Sequence, residues 1–293
     1  MNRTSHHRLH WMGALTFRGP DAVRFLQSQL TADVTRLAPG TAMPAAWCNA
    51  QGRVLAVLWL LSGPDGVLAL LPRSLAATTA EGLRRFVMRS KVTVADESDQ
   101  LQIAGLVCPV EGGLDSLAVP DGLVIGRLAG DRAWAVGAAA AQESLRPGLA
   151  ARSEAAWVAL SVRRGEATVL PPTSGEWIPQ MLNLDLIGAV SFTKGCYPGQ
   201  EIVARAHHLG RVKRRMARYH VIAGPLPASG QALFIAGEKV ADVVITAPGD
   251  PAELLAVVNF DALGHPITDA SGSLVCGPRP LPYAFPEMRA AAS

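Results

Sequence analysis

Lys194-Gly195-Cys196-Tyr197-Pro198-Gly199-Gln200-Glu201 places a lone thiol two residues after an amine and just ahead of a turn pair. Proline suits the first turn of a helix, where its missing N–H would have no partner anyway. Downstream, Ile202, Val203, Ala206 and Leu209 recur at helical spacing. The spacing predicts a short helix from about Pro198 to Leu209, with Cys196 just before its positive end. That partial charge and the ammonium of Lys194 favour thiolate over thiol. Free cysteine is also among the most buried residue types, so a small packed hydrophobe is the competing reading.

A chain of 293 residues, 49% of them apolar, is long enough for two or three domains with their own cores. The longest uninterrupted apolar run, Val54 to Leu61, is eight residues, well short of the ~20 that a membrane helix needs. A soluble protein is expected. The start of the chain carries Arg3, His6, His7, Arg8 and His10 and leads into no apolar h-region, so no secretory signal is read there. Cys48, Cys108, Cys196 and Cys276 lack metal-binding spacing and are expected as reduced thiols in a cytoplasm.

The net charge of +3 is unevenly spread. Arg205, Arg211, Lys213, Arg214, Arg215 and Arg218 fall within fourteen residues that hold no acid. Such a cluster reads either as an anion-binding surface or as the charged edge of a strand, with the edge strand the preferred expectation. Lysine is scarce, at positions 91, 194, 213 and 239 only. An ammonium at 194 in so arginine-biased a chain suggests that a compact cation is wanted there.

The periodicity predicts a strand near Ala14 to Phe17 and a helix over Pro20 to Leu30. A turn-rich connection follows at Cys48 to Gly52, then a buried strand over Arg53 to Leu61. Leu68 to Leu71, a helix over Ser74 to Met88 and a strand at Lys91 to Ala95 complete one α+β lobe. Short strands between Leu101 and Val136, with helices near Ala138 to Leu145 and Ser153 to Arg163, make a second. Past Arg218, short apolar runs cut by Pro, Gly and Asp predict a small β-barrel. The expected boundaries are 1–95 with 175–210, 96–174, and 211–285. His6, His7 and His10 are expected to be solvated on a polar terminus, and no metal site is expected.

The run K-G-C-Y-P-G-Q-E-I-V-A-R resembles the signature of the YgfZ-type folate-binding family, relatives of the glycine-cleavage aminomethyltransferase. Gly19 to Val34 is similar to that family's opening helix and turn, Cys48 to Arg53 to its first hairpin, and Ile178 to Leu184 to the approach to the signature. The resemblance implies an α+β fold of two lobes and a C-terminal β-barrel around a central channel that holds tetrahydrofolate. It implies an accessory role in assembly or repair of iron-sulfur proteins, and through them support of tRNA modification. Cys196 would be the functional thiol and Lys194 its cation, within a signature that also holds Gly195, Tyr197, Gly199, Gln200 and Glu201.

For folate itself the resemblance points to Trp157 and Trp11 as stacking surfaces, since a flat pterin gains from an indole. The related transferases carry a Glu in a pattern like L-R-x-E-A-G, and here Arg163 stands at that place in Leu160 to Gly165. Arginine cannot accept a hydrogen bond. Asp33 or Asp185 would then supply the carboxylate, or Arg163 would pair with the glutamate tail of folate. Folate and iron-sulfur client or assembly proteins are the expected partners of what would be a monomer, with neither nucleic acid nor membrane expected. An enzyme is not the first expectation. The alternatives are a folate-dependent aminomethyltransferase-like enzyme and an RNA-binding module using residues 205–218.

Overall fold

The order of apolar runs and turns becomes two five-stranded sheets and a closed barrel in the computed structural model, which describes residues 4–108, 113–115, 117–208 and 212–286. The chain divides into two compact units. One comprises Met1–Trp47, Ala56–Trp157 and Thr193–Tyr197; the other comprises Cys48–Leu55, Val158–Phe192 and Pro198–Ser293.

The first unit begins with strand β1 (Ser5–Arg8) and strand β2 (Met12–Arg18), followed by helix α1 (Ala22–Gln29). Helix α1 buries Ala22, Phe25, Leu26 and Gln29, one face at helical spacing. Then come β3 (Ala42–Cys48), β4 (Val54–Gly63) and β5 (Gly66–Pro72), with α2 (Arg73–Arg84) and β6 (Thr93–Asp96) after them. These strands form a sheet in the order β3-β4-β5-β2-β6. The central strands read as nearly continuous apolar runs because both of their faces are covered.

The second sheet uses β7 (Gln102–Val107), β8 (Leu123–Arg127) and β9 (Arg132–Gly137), then helix α3 (Ala139–Leu145) and strand β10 (Ala150–Arg152). Its order is β10-β1-β7-β9-β8. The N-terminal segment expected to be solvated is therefore an interior strand: β1 pairs with β7 and β10, and His6 and His7 are buried. His7 bonds the Ser153 carbonyl at 2.9 Å and His6 lies 3.4 Å from Gln142 Oε1. Burial holds both imidazoles below their ordinary pKa. His10 remains exposed, its amide donating to Glu154.

One shared core, including Leu9, Met12, Leu61, Leu70, Ile103, Trp134 and Trp157, joins the two sheets. Trp157 lies on α4 (Glu154–Arg163), the helix that leaves this unit. Gly105 on β7 is where the indole rests: any side chain there would collide with Trp157 ring atoms.

In the second unit, α5 (Gln200–His208) precedes β11 (Arg214–Ala223), β12 (Ala232–Ile235), β13 (Glu238–Ala247), β14 (Glu253–Asn259), β15 (Ile267–Thr268) and β16 (Val275–Arg279). These six strands close in the order β11-β14-β13-β12-β15-β16 around Tyr219, Leu233, Val243, Leu254, Val258, Ile267 and Cys276. Strand β11 is flanked by β14 and β16, so the edge-strand reading of the basic cluster is corrected: closure leaves no edge there to protect.

Three of its cations instead face acids from other parts of the chain. Arg214 pairs with Asp242 at 2.7 Å, Arg215 with Asp185 at 2.8 Å, and Arg218 faces Glu253 at 3.8 Å. The acids lie 28, 30 and 35 residues away along the chain, which is why the stretch looks uncompensated when read locally. Arg211 lies outside the described residues, as do Leu209 and the C-terminal tail 287–293. Among the described residues no helix is long and apolar enough to cross a membrane.

Candidate functional site

The signature loop is held at two places, one in each unit. In the first unit the ammonium of Lys194 donates to the carbonyl oxygens of Leu30 at 2.6 Å and Ala32 at 2.8 Å, just after α1. It also lies 5.4 Å from the ring centroid of Tyr197, which is buried. Burial pushes the Lys194 pKa down to about 8, and the negative charge of Asp33 opposes that shift. The two carbonyls oppose it as well, because both hydrogen bonds are stronger to the charged amine.

Asp33 follows directly on the segment that Lys194 grips. Its Oδ1 accepts from Thr35 Oγ1 at 2.6 Å and from Gln27 Nε2 at 3.0 Å, while Gln27 Oε1 takes the Val34 amide at 2.7 Å. The hydrogen bond from Thr35 comes first, then those from Gln27 and the nearby Lys194 charge, in holding this carboxyl below the usual carboxylate range. Asp33 is thus an ionised acceptor in the electrostatic field of the signature lysine.

In the second unit Gly199 has a φ of 79°, a conformation that glycine adopts at little cost. A Cβ at 199 would fall 2.5 Å from the Asn49 carbonyl and from Gly52 Cα. The facing turn is self-bonded: the Gly52 amide reaches the Asn49 carbonyl at 2.9 Å, and Asn49 Oδ1 accepts the amides of Gln51 and Arg53. The tip of the first hairpin and the Pro198-Gly199 corner are therefore packed backbone against backbone.

Cys196 lies between these two fixings and is exposed, whereas Cys48, Cys108 and Cys276 are buried. Burial pushes the Cys48 thiol up to about 12 and the Cys276 thiol up to about 11. Two expectations change here. Helix α5 starts at Gln200 rather than Pro198, which leaves Cys196 four residues ahead of it, and the helix charge fades within about one turn. The Lys194 ammonium is also turned to the α1 side, onto two carbonyls. Exposure, more than local charge, distinguishes this thiol. Gly195 is exposed with open space where a side chain would go, and Glu201 is exposed in the first turn of α5.

The residues expected to meet folate are scattered in character. Trp157 is 1% exposed, with Trp134 at 4.9 Å, His7 at 5.8 Å and Arg132 stacked at 5.2 Å. Its ring faces are used by the core, so it is no open stacking surface. Trp11 is half-buried, and its indole N–H is buried without a hydrogen-bond partner. Arg163 pairs with Glu253 through Nε at 3.1 Å. Asp185 is committed to Arg215 with both oxygens.

Neither the partner of Arg163, 90 positions away, nor the anchors of Lys194, which are backbone carbonyls, carries a signal in the sequence. Among the described residues no group of three His, Cys, Asp or Glu is arranged to hold a metal ion.

The sequence is 30% identical, across 92% of this chain and 90% of the relative, to the tRNA-modifying protein YgfZ of Klebsiella pneumoniae (strain 342). The chain belongs to the YgfZ family. A YgfZ of Serratia proteamaculans (strain 568) is 32% identical, covering 74% of this chain and 71% of that relative. No family model matches the sequence. The aminomethyltransferase T of the glycine cleavage system from Bartonella henselae superposes with a TM-score of 0.76, covering 96% of this chain and 86% of its own at 16% identity. This YgfZ chain therefore has the aminomethyltransferase-like fold that the signature implied, barrel included.

Proposed function

We propose that this chain is a tetrahydrofolate-binding accessory factor for assembly or repair of iron-sulfur proteins, supporting tRNA modification through them, with Cys196 as its functional thiol. The observation that carries this reading is the contrast between one exposed cysteine in the twice-anchored signature loop and three buried ones. A thiol that must reach a partner's metal or sulfur has to be accessible, and a packed one is inert. The names of the relatives support the link to tRNA modification, and the fold likeness supports folate.

The residues fit folate in part of its chemistry. Asp33 offers an ionised carboxylate for an amidine-like N–H pair, and the unpartnered N–H of Trp11 is a donor that a bound polar group would satisfy. Folate would supply a one-carbon carrier or a reduced pterin. At position 163 a cation paired with Glu253 stands where a transferase needs an acid, which supports an accessory role over turnover.

Labelling the native protein with a thiol reagent near neutral pH tests the thiol. Cys196 is expected to react at least about tenfold faster than the other three, and a fast phase that survives Cys196→Ser would refute its role. Titration of tetrahydrofolate against wild type and Asp33→Asn, followed by intrinsic fluorescence, tests the ligand separately. Equal affinity in both removes Asp33, and no binding to either removes folate while leaving the thiol in place.

A further inference from the structure

Glu253 on β14 is the meeting point of arginines from two elements, with only 9% of its side chain exposed. Arg163 from α4 donates Nε–H to its Oε1 at 3.1 Å, and Arg218 from β11 places Nε 3.8 Å from its Oε2. Arg218 also donates through Nη1 to the Arg163 carbonyl at 3.2 Å. Directly across the ladder from Arg218 stands Arg279 of β16, which pairs with no acid among the described residues. Like charges at opposed positions of neighbouring strands repel. One carboxylate against three guanidiniums leaves two positive charges in excess, and the side chain of Arg218 is only 16% exposed, where water screens little.

We propose that Arg163, Arg218 and Arg279 form a phosphate-binding site on the barrel, with Glu253 as the acid that fixes the first two in place. The charge matches: a terminal phosphate carries roughly −1.5 to −2 at neutral pH, and two adjacent RNA backbone phosphates carry about the same. The placement matches too: Arg163 and Arg218 meet at Glu253, Arg279 stands across the ladder from Arg218, and guanidinium forks are suited to phosphate oxygens. Arg163 and Arg279 are exposed, so the ligand reaches them from solvent. The site rests on this geometry alone. Its assignment to RNA, as the source of the phosphate, rests on the function proposed above.

The experiment compares wild type, Arg279→Gln and Arg279→Lys, since Arg279 is a surface residue of the barrel and none of the core depends on it. Inorganic phosphate is titrated at constant ionic strength with thermal unfolding as the readout. The expected result is saturable stabilisation of wild type, an affinity at least about tenfold weaker in Arg279→Gln, and partial recovery in Arg279→Lys. Equal stabilisation of all three, a matching effect of chloride, or a response to free glutamate in place of phosphate overturns the site. In a parallel arm, fluorescent tRNA is titrated at several salt concentrations. Competition by phosphate together with weakening by Arg279→Gln supports RNA as the source. Phosphate binding that depends on Arg279 while tRNA binding does not keeps the site for a small phosphate compound and overturns the RNA assignment.

Discussion

Lys194 hydrogen-bonds the carbonyl of Leu30, a residue 164 positions earlier in the chain, at 2.6 Å. The contact binds the loop that carries Cys196 to the turn after α1, and the Ala32 carbonyl doubles it. Lys194→Met keeps most of the side-chain stem and removes both bonds. Each hydrogen bond to a charged group is worth about 1.5–3 kcal/mol, set against the cost of burying that charge, so the variant is expected to change the labelling rate of Cys196 more than the urea midpoint. An unchanged midpoint and rate would show that the anchor is dispensable.

The same lysine gives stability a specific pH dependence. In the folded chain it loses its proton at about 8, whereas an unfolded lysine holds it to 10.5. Between those values the unfolded state binds more protons, so this group makes stability rise with pH, and below 8 the buried charge costs stability. The raised thiol and phenol pKa values of Cys276 and Tyr219 act in the opposite sense at higher pH. The measurement is therefore the difference between wild type and Lys194→Met in urea titrations at pH 7.5 and pH 9. Wild type is expected to gain relative to the variant over that interval, and a constant difference would contradict the assignment.

Gly199→Ala places a Cβ against the Asn49–Gly52 backbone at a positive φ. Backbone cannot step aside as a side-chain tip can. A loss of about 2 kcal/mol or more is expected, seen as a lower melting temperature, and Gly195→Ala, which meets open space, serves as the tolerated control.

Arg215 and Asp185 form a buried bidentate pair whose side chains are 3% and 8% exposed, and Arg215 also reaches the Gln180 carbonyl. Removing one partner strands the other charge, so Asp185→Ala is expected to cost about 3–5 kcal/mol. The double change Asp185→Leu with Arg215→Met should cost less than the sum of the single changes. A double-mutant cycle by urea unfolding measures the coupling.

Trp157→Ala should cost about 3–5 kcal/mol through the cavity it leaves while tetrahydrofolate affinity, measured at a temperature where the variant is folded, stays within about twofold. A selective loss of affinity without a loss of stability would return Trp157 to the ligand site.

Much of this was readable from residue order. The apolar faces of α1 to α4 fell within a few residues of their places, because each helix buries a stripe written at its own period. The barrel was legible from its turn residues, and the aminomethyltransferase-like fold from the signature. What escaped depended on distant partners. Ser5–Arg8 has no alternating apolar pattern, and its His6 and His7 are buried only because β7 and β10 enclose the strand. Arg215 looked solvated because its acid lies 30 positions away. Trp157 is offered as a ligand surface by the resemblance alone, and nothing local announces that Gly105 leaves room for its ring.

The Lys194 anchor reaches far along the chain, and the signature loop depends on it. A synthetic peptide spanning 190–208 would contain every letter of the signature and none of its fixings. The loop around Cys196 takes its anchored form only once residues more than 160 positions apart have folded onto one another, so a truncated or misfolded chain would lack it.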